Sequence, residues 1–256
     1  MNTLTIDMGN TSIKYAVFDS NQSMLTEGRI DGHDPTILVT TAKSFSVIHA
    51  IVCSTVKLDA STLRQLSSIA QHLVILSHTT SLPIRNLYKS PQTLGMDRLA
   101  AAVGAYSQTQ SNTLIIDMGT AITYDFVTER GEYLGGNISP GLNMRFNALH
   151  QQTALLPLVN IEGNHPAIGN DTETAIRCGV VDGIRYEIEG YISKLSLKYT
   201  NLCIILTGGD HLYFEDSKNL RIFADDYIVL KGLNEILRYN LAQTSSQEVE
   251  ISGPHK

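Results

Sequence analysis

The chain's 256 residues are 43% apolar and 17% charged, an ordinary globular balance that fits one large domain or two modest ones with buried cores. A formal charge of −6 without any lysine or arginine cluster argues against a polynucleotide partner, and no run approaches the roughly 18 apolar residues of a membrane span. Three scattered cysteines, Cys53, Cys178 and Cys203, and eight histidines without HExxH or paired ligand spacing suggest neither a disulfide framework nor a metal centre.

Met1 leads within three residues into a strand-like segment, which leaves no room for a signal peptide and makes the cytoplasm the expected compartment. The segment Leu4 to Gly9 reads LTIDMG, and Leu114 to Gly119 reads LIIDMG, identical at five of six positions. Such an echo implies two related halves, taken here as 1–112 and 113–256. Each copy is a short apolar strand ending in Asp and Gly, followed by a second strand at Ile13 to Phe18 or Ile122 to Val127, so each half opens on a hairpin with a glycine at its tip. Further strands are expected at Val47 to Val52 and Leu73 to Leu76, with a helical period in Leu63, Leu66, Ile69 and Ala70 between them. A helix rich in alanine starts near Asp97. The strongest helical stripe is Ile176, Val180, Ile184, Ile188, Tyr191 and Leu195, with Asn170 and Glu173 as a capping-box-like start. A buried strand at Leu202 to Leu206 runs into TGGD at 207 to 210, a last helix is expected after Gly232, and the polar tail from Thr244 is expected to fray. The fold class is therefore α/β with a duplicated core.

The run from Asp7 through Met8, Gly9, Asn10, Thr11, Ser12 and Ile13 to Lys14 suits a polyanion with its metal. Gly9 lets backbone amides approach phosphate oxygens, Asn10 and Thr11 add donors, Lys14 adds positive charge, and Asp7 can hold Mg²⁺ directly or through water. An ordinary hairpin turn is the equal alternative, because Gly-Asn is common turn chemistry. The second copy, DMGTAITYD at 117 to 125, and the TGGD after a third strand favour the nucleotide.

Paired DxG hairpins with a late TGGD resemble the actin and hexokinase superfamily. DxGNTxxK at 7 to 14, GxDR at 95 to 98, DxGTAxTxD at 117 to 125 and GGxIxPG at 135 to 141 resemble the type III pantothenate kinase family, as do TxxAxxxG at 172 to 179, TGGD at 207 to 210 and LKGL at 230 to 233. The resemblance implies two duplicated ribonuclease H-like (actin-like ATPase) domains with a nucleotide cleft between them, Mg-ATP as donor and pantothenate as acceptor. It implies that Asp97 is the base for the pantothenate hydroxyl, where an isolated aspartate would be read as an N-cap. Arg98, otherwise a solvated helix residue, becomes an anchor for the acceptor beside Gly95 and Met96. Tyr88 and Thr172 match substrate-contacting positions, Thr120 an ATP-contacting one, and Asp117 a monovalent-cation site, hence potassium or ammonium dependence. Gly135, Gly136, Pro140 and Gly141 shape a loop near the phosphates, and a homodimer is implied, with Gly179 and Gly183 at the subunit interface. Ser90-Pro91 departs from the Asn-Pro often found there and leaves the Tyr88 loop undefined. The rivals are another kinase or a phosphohydrolase on the same scaffold, and a non-catalytic relative that binds ATP without transferring phosphate.

Overall fold

Two stretches of chain separated by more than a hundred residues form the same five-stranded arrangement. The computed structural model describes residues 1–32, 34–58, 60–214 and 222–251. Its elements in chain order are β1 (Asn2–Met8), β2 (Ser12–Phe18), β3 (Met24–Asp31), α1 (Thr36–Ser44), β4 (Val47–Ser54), α2 (Ala60–Ser67), β5 (His72–Ile75) and β6 (Arg85–Asn86). After a 3₁₀ turn at Pro91–Thr93 come α3 (Met96–Thr109), β7 (Thr113–Met118), β8 (Ala121–Val127), β9 (Glu132–Pro140), α4 (Leu142–Gln151), α5 (Thr172–Ser196), β10 (Cys203–Thr207), β11 (Ile222–Ala224) and α6 (Ile228–Ile251). One sheet has the order β3-β2-β1-β4-β5, and the other reads β9-β8-β7-β10-β11 with β6 added outside β9. In both, an antiparallel hairpin supplies the centre and the next strand pairs parallel to its first member, as in Asp7↔Cys53 and Asp117↔Thr207. The echoed sequence thus marks the same central strand twice.

The compact units are not two consecutive stretches. The first comprises Met1–Gln110, Thr128–Leu134 and the chain from Tyr227, and the second comprises Ser111–Val127 and Gly135–Asp226. In the first unit Leu4, Ile6 and Met8 of β1 are buried with Leu38 of α1, Val52 of β4 and Leu66 of α2. The opposite face of β1 is covered by α6, where the Thr3 hydroxyl donates to Asn234 Oδ1 at 2.7 Å. Strand alternation places these two sets on opposite faces. The helix expected after Gly232 begins earlier, at Ile228, and carries Gly232 inside it. A Cβ at Gly232 would lie 1.8 Å from the Ala100 carbonyl oxygen, and one at Gly104 would lie 2.3 Å from that of Ile228. The glycine that reads as a start signal is a close crossing of α3 and α6. The expected frayed tail differs as well, because helix continues through Ile251, and its last five residues lie outside those described.

In the second unit the stripe Ile176, Val180, Ile184, Ile188 and Ile192 of α5 packs on Leu114, Ile116 and Met118 of β7 and Tyr124 of β8. The capping box lies one residue beyond the expected pair. Asp171 accepts from the Thr174 amide at 2.9 Å, and the Thr174 hydroxyl oxygen accepts from the Asp171 amide at 3.2 Å. No described helix is long and apolar enough to cross a membrane.

Candidate functional site

The first hairpin ends in Gly9, Asn10 and Thr11, with Asn10 and Thr11 exposed and Ser12, Ile13 and Met8 buried. The turn is held by the Gly9 amide donating to Ser12 O at 3.0 Å and the Gly32 amide donating to Thr11 O at 3.0 Å. Asp7 stands opposite Lys14 in the ladder, with Cys53 across the parallel pairing. The Cys53 thiol donates to Asp7 Oδ1 at 3.2 Å. Burial, and then the nearby Asp97 charge, raise the Asp7 carboxyl to about 6, against the weaker opposing pull of the Cys53 hydrogen bond and of Lys14. Burial, followed by the charges of Asp7 and Asp97, pushes the Cys53 thiol up, so it remains a donor. Two carboxylates in one partly dry place form a donor set suited to a hard divalent cation. Cys53 was not legible as a site residue, since only the β1–β4 register brings it to Asp7.

Asp97 is not the N-cap of α3. Gly95 takes that position in extended conformation, and Asp97 is the second helical residue, its Oδ1 accepting from the Arg98 amide at 2.9 Å. A Cβ at Gly95 would stand 2.5 Å from Asp97 Oδ1, which gives the glycine two places before the aspartate a steric reason. Arg98 is not a solvated helix residue: it is 7% exposed. Met96 and Gly95 are half-buried and line a cavity of about 380 Å³ that also touches Ser54, Thr55, Ser77 and His78. Thr55 donates its amide to Met8 O at 3.0 Å, so this cavity runs from the start of α3 to the ends of β1 and β4. Its polar lining from Ser54 to His78 carried no sequence signal, because the four residues belong to two separate loops. Tyr88 is half-buried, its amide donating to Asn86 Oδ1 at 2.9 Å and its ring 6.4 Å from that of Tyr133. Ser90-Pro91 opens the short 3₁₀ turn, where the Thr93 hydroxyl donates to Ser90 O at 3.1 Å.

In the second unit three segments meet at the other hairpin tip. A Cβ at Gly208, whose φ is +90°, would lie 2.6 Å from Asp117 Oδ1, and one at Gly141 would lie 2.3 Å from Thr120 O. The Asp210 amide donates to Met118 O at 3.1 Å, and burial raises the Asp210 carboxyl above its ordinary range. Asp117 is half-buried and Thr120 exposed at this tip. The space that a side chain at 208 would fill leaves a cradle over the Asp117 carboxylate. Gly136 permits β9 to lie against β8, since a Cβ there would collide with Tyr124 O. The loop at 139 to 141 is fixed by Arg145, which donates to Pro140 O at 2.8 Å and Glu187 Oε2 at 2.5 Å, while the Ser139 hydroxyl donates to Glu187 Oε1. Burial alone would raise Glu187, but hydrogen bonds from Ser139, Arg145 and Tyr124 and the Arg145 charge outweigh it and hold the carboxyl low. Thr172, the first residue of α5, is exposed. It lines an apolar cavity of about 720 Å³ with Leu149, Leu156, Ile176 and Val180.

Two α/β units with one strand order, each opening on an Asp-Met-Gly hairpin, define the actin-like ATPase class. The activator of 2-hydroxyisocaproyl-CoA dehydratase from Clostridium difficile, solved with bound ADPNP, shares this fold with a TM-score of 0.55 over 100% of both chains at 14% identity. The family model for type III pantothenate kinases matches residues 3–194. A type III pantothenate kinase of Bacteroides fragilis strain YCH46 is 48% identical over 238 residues, covering 93% of this chain and 98% of that one. Its counterpart in Phocaeicola vulgatus is 44% identical over the same shares. The chain belongs to the type III pantothenate kinase family.

Proposed function

We propose that the chain transfers the γ-phosphoryl group of ATP to the primary hydroxyl of pantothenate, giving 4′-phosphopantothenate and ADP, the first step of coenzyme A synthesis. Membership of the family carries this reading. The observation that assigns roles is the pairing in the first unit of Asp97, at the start of α3, with Asp7, at the end of β1. Asp97 accepts the hydroxyl proton as the alcohol oxygen attacks phosphorus and the bond to the ADP oxygen breaks. Without such an acceptor the alcohol is a poor nucleophile, and positioned proton transfer typically contributes about 10²–10⁴ in rate. Asn10, Thr11 and the backbone of residues 8 to 13 bind phosphate, Lys14 adds charge, and Thr120 adds a contact from the second hairpin. A divalent ion held through Asp7 neutralises charge on the transferring group. Catalysis is otherwise positioning. Arg98, Tyr88, Gly95 and Met96 orient the acceptor, Arg98 by pairing its planar fork with the pantothenate carboxylate.

The cradle above Asp117 suits a monovalent cation, potassium or ammonium, and activity with sodium as the only alkali cation is expected to fall. Gly179 and Gly183 on α5 have almost nothing of this chain near a notional Cβ, and Tyr186 is 67% exposed. Both features support a homodimer in which a second copy covers this face and Thr172 helps complete the acceptor pocket. The cytoplasm, where both substrates are found, is the compartment that fits. Asp97→Asn tests the assignment, because asparagine keeps an oxygen for the Arg98 amide yet cannot act as a base. An ADP-coupled assay with pantothenate is expected to lose about 10²-fold or more in turnover at an unchanged melting temperature. Full activity would leave Asp97 a structural residue, and no ADP from the wild type would favour an ATP-binding relative without transfer.

A further inference from the structure

In the second unit the segment before α5 is stapled onto that helix. Arg177 is 6% exposed and donates from Nε to Asn160 O and from Nη1 to Asn164 O, both at 3.0 Å. Gly163, at φ +115°, lies against the guanidinium plane, where a Cβ would be 3.1 Å from Cζ. The next residue along, Cys178, donates its thiol to Pro166 O at 3.0 Å. Between these two anchors the chain is held on α5 at His165. Its Nε2 lies 3.4 Å from Asp182 Oδ1, and Asp182 follows Cys178 by four residues on the same helical face. One ring nitrogen, one sulfur and one carboxylate oxygen all lie within 4.8 Å of one another.

We propose that His165, Cys178 and Asp182 form a binding site for a zinc-type divalent cation. The donor set is imidazole, thiolate and carboxylate, which selects a borderline-soft ion and disfavours Mg²⁺, whose preferred ligands are all oxygen. A tetrahedral ion at ordinary Zn–N, Zn–O and Zn–S lengths holds its ligands about 3.3–3.8 Å apart. The His165–Asp182 distance already matches, and Cys178 needs only a small side-chain rotation. Three protein ligands leave a fourth position for water. On binding, the Cys178 proton passes to solvent, the sulfur coordinates as thiolate, and Pro166 O loses its S–H donor. Arg185 Nη1, 3.7 Å from Asp182 Oδ1, competes for the carboxylate, but Arg185 is 43% exposed and has room to turn to water. The bound ion fastens the segment at 160–166 to α5 by a second clamp beside Arg177.

The test uses the untagged full chain, stripped with EDTA and titrated with Co²⁺ alone. One equivalent per chain is expected, with thiolate-to-cobalt absorption in the near ultraviolet and visible bands of four-coordinate intensity. Cys178→Ser should abolish the ultraviolet absorption. His165→Ala and Asp182→Asn, at partly exposed positions, should fold by circular dichroism and weaken binding at least about 10- to 100-fold, the loss that disturbing even an outer hydrogen bond to a ligand causes. None of these residues is placed in the kinase machinery, so turnover without added cobalt should be unchanged in His165→Ala. No absorption in the wild type, or an affinity unaltered by His165→Ala, overturns the proposal.

Discussion

Replacing Gly232 by alanine puts a methyl group 1.8 Å from the Ala100 carbonyl oxygen, where an ordinary contact would be at about 3.4–4 Å. The obstacle is helix backbone, so α3 and α6 must separate by roughly 1.5 Å. Overpacking of this kind typically costs about 1–3 kcal/mol, and the crossing also loses the contacts around Gly104. Alanine gains about 1 kcal/mol in helix propensity over glycine. The net expectation is a loss of about 2 kcal/mol, which in a chain of this size lowers the melting temperature by about 4–8 °C. Because α3 carries Asp97 and Arg98 in its first turn, the same displacement should appear in turnover, where a 1 Å misplacement of a reacting group can cost about 10²-fold. Thermal unfolding followed by circular dichroism, and the ADP-coupled assay on the folded variant, read the two effects separately. A melting temperature equal to or above that of the wild type would refute the reasoning, because propensity alone would then have acted.

Three further outcomes follow from the first unit. Asp7 is raised from 3.8 to about 6, so the folded state holds its proton more tightly than the unfolded state. In metal-free protein this group's contribution to stability therefore declines as pH rises from about 4 to 6. Asp7→Asn should flatten that slope and stabilise the metal-free protein at pH 7.5 by about 1–3 kcal/mol while abolishing turnover, as chemical denaturation at two pH values would check. For the same reason the apparent Mg²⁺ requirement of the wild type should rise below about pH 6, where a protonated Asp7 no longer holds the ion. Arg98→Lys keeps a charge and loses the fork, so the Michaelis constant for pantothenate should rise more than that for ATP; equal changes in initial-rate kinetics would remove Arg98 from the acceptor.

Much of the fold was legible where residues repeat in a simple period. The LTIDMG and LIIDMG strands, the hairpins that follow them and the isoleucine stripe of α5 all lie within a residue or two of their expected places, because one buried face imposes each pattern. Elements without that constraint were missed. β3 alternates with charged and polar residues at a sheet edge, and β9 contains Gly135, Gly136 and Pro140, composition that reads as loop. The start of α6 was misplaced because Gly232 looks like punctuation, whereas its role is a backbone approach to a helix more than a hundred residues away. Of the candidate site, Asp7, Lys14 and the Gly95–Arg98 run could be picked out in one dimension. Cys53 and the Ser54–His78 lining could not, since strand register and loop placement bring them there.

The last helix lies over the first strand, with Asn234 bonded to Thr3 across 231 positions. A ribosome therefore releases the amino-terminal unit unfinished: its sheet leaves the exit tunnel long before the piece that covers one side of it. Until translation ends, that apolar flank has no permanent cover, and a nonsense mutation anywhere in the final tenth of the message strikes at the fold's beginning.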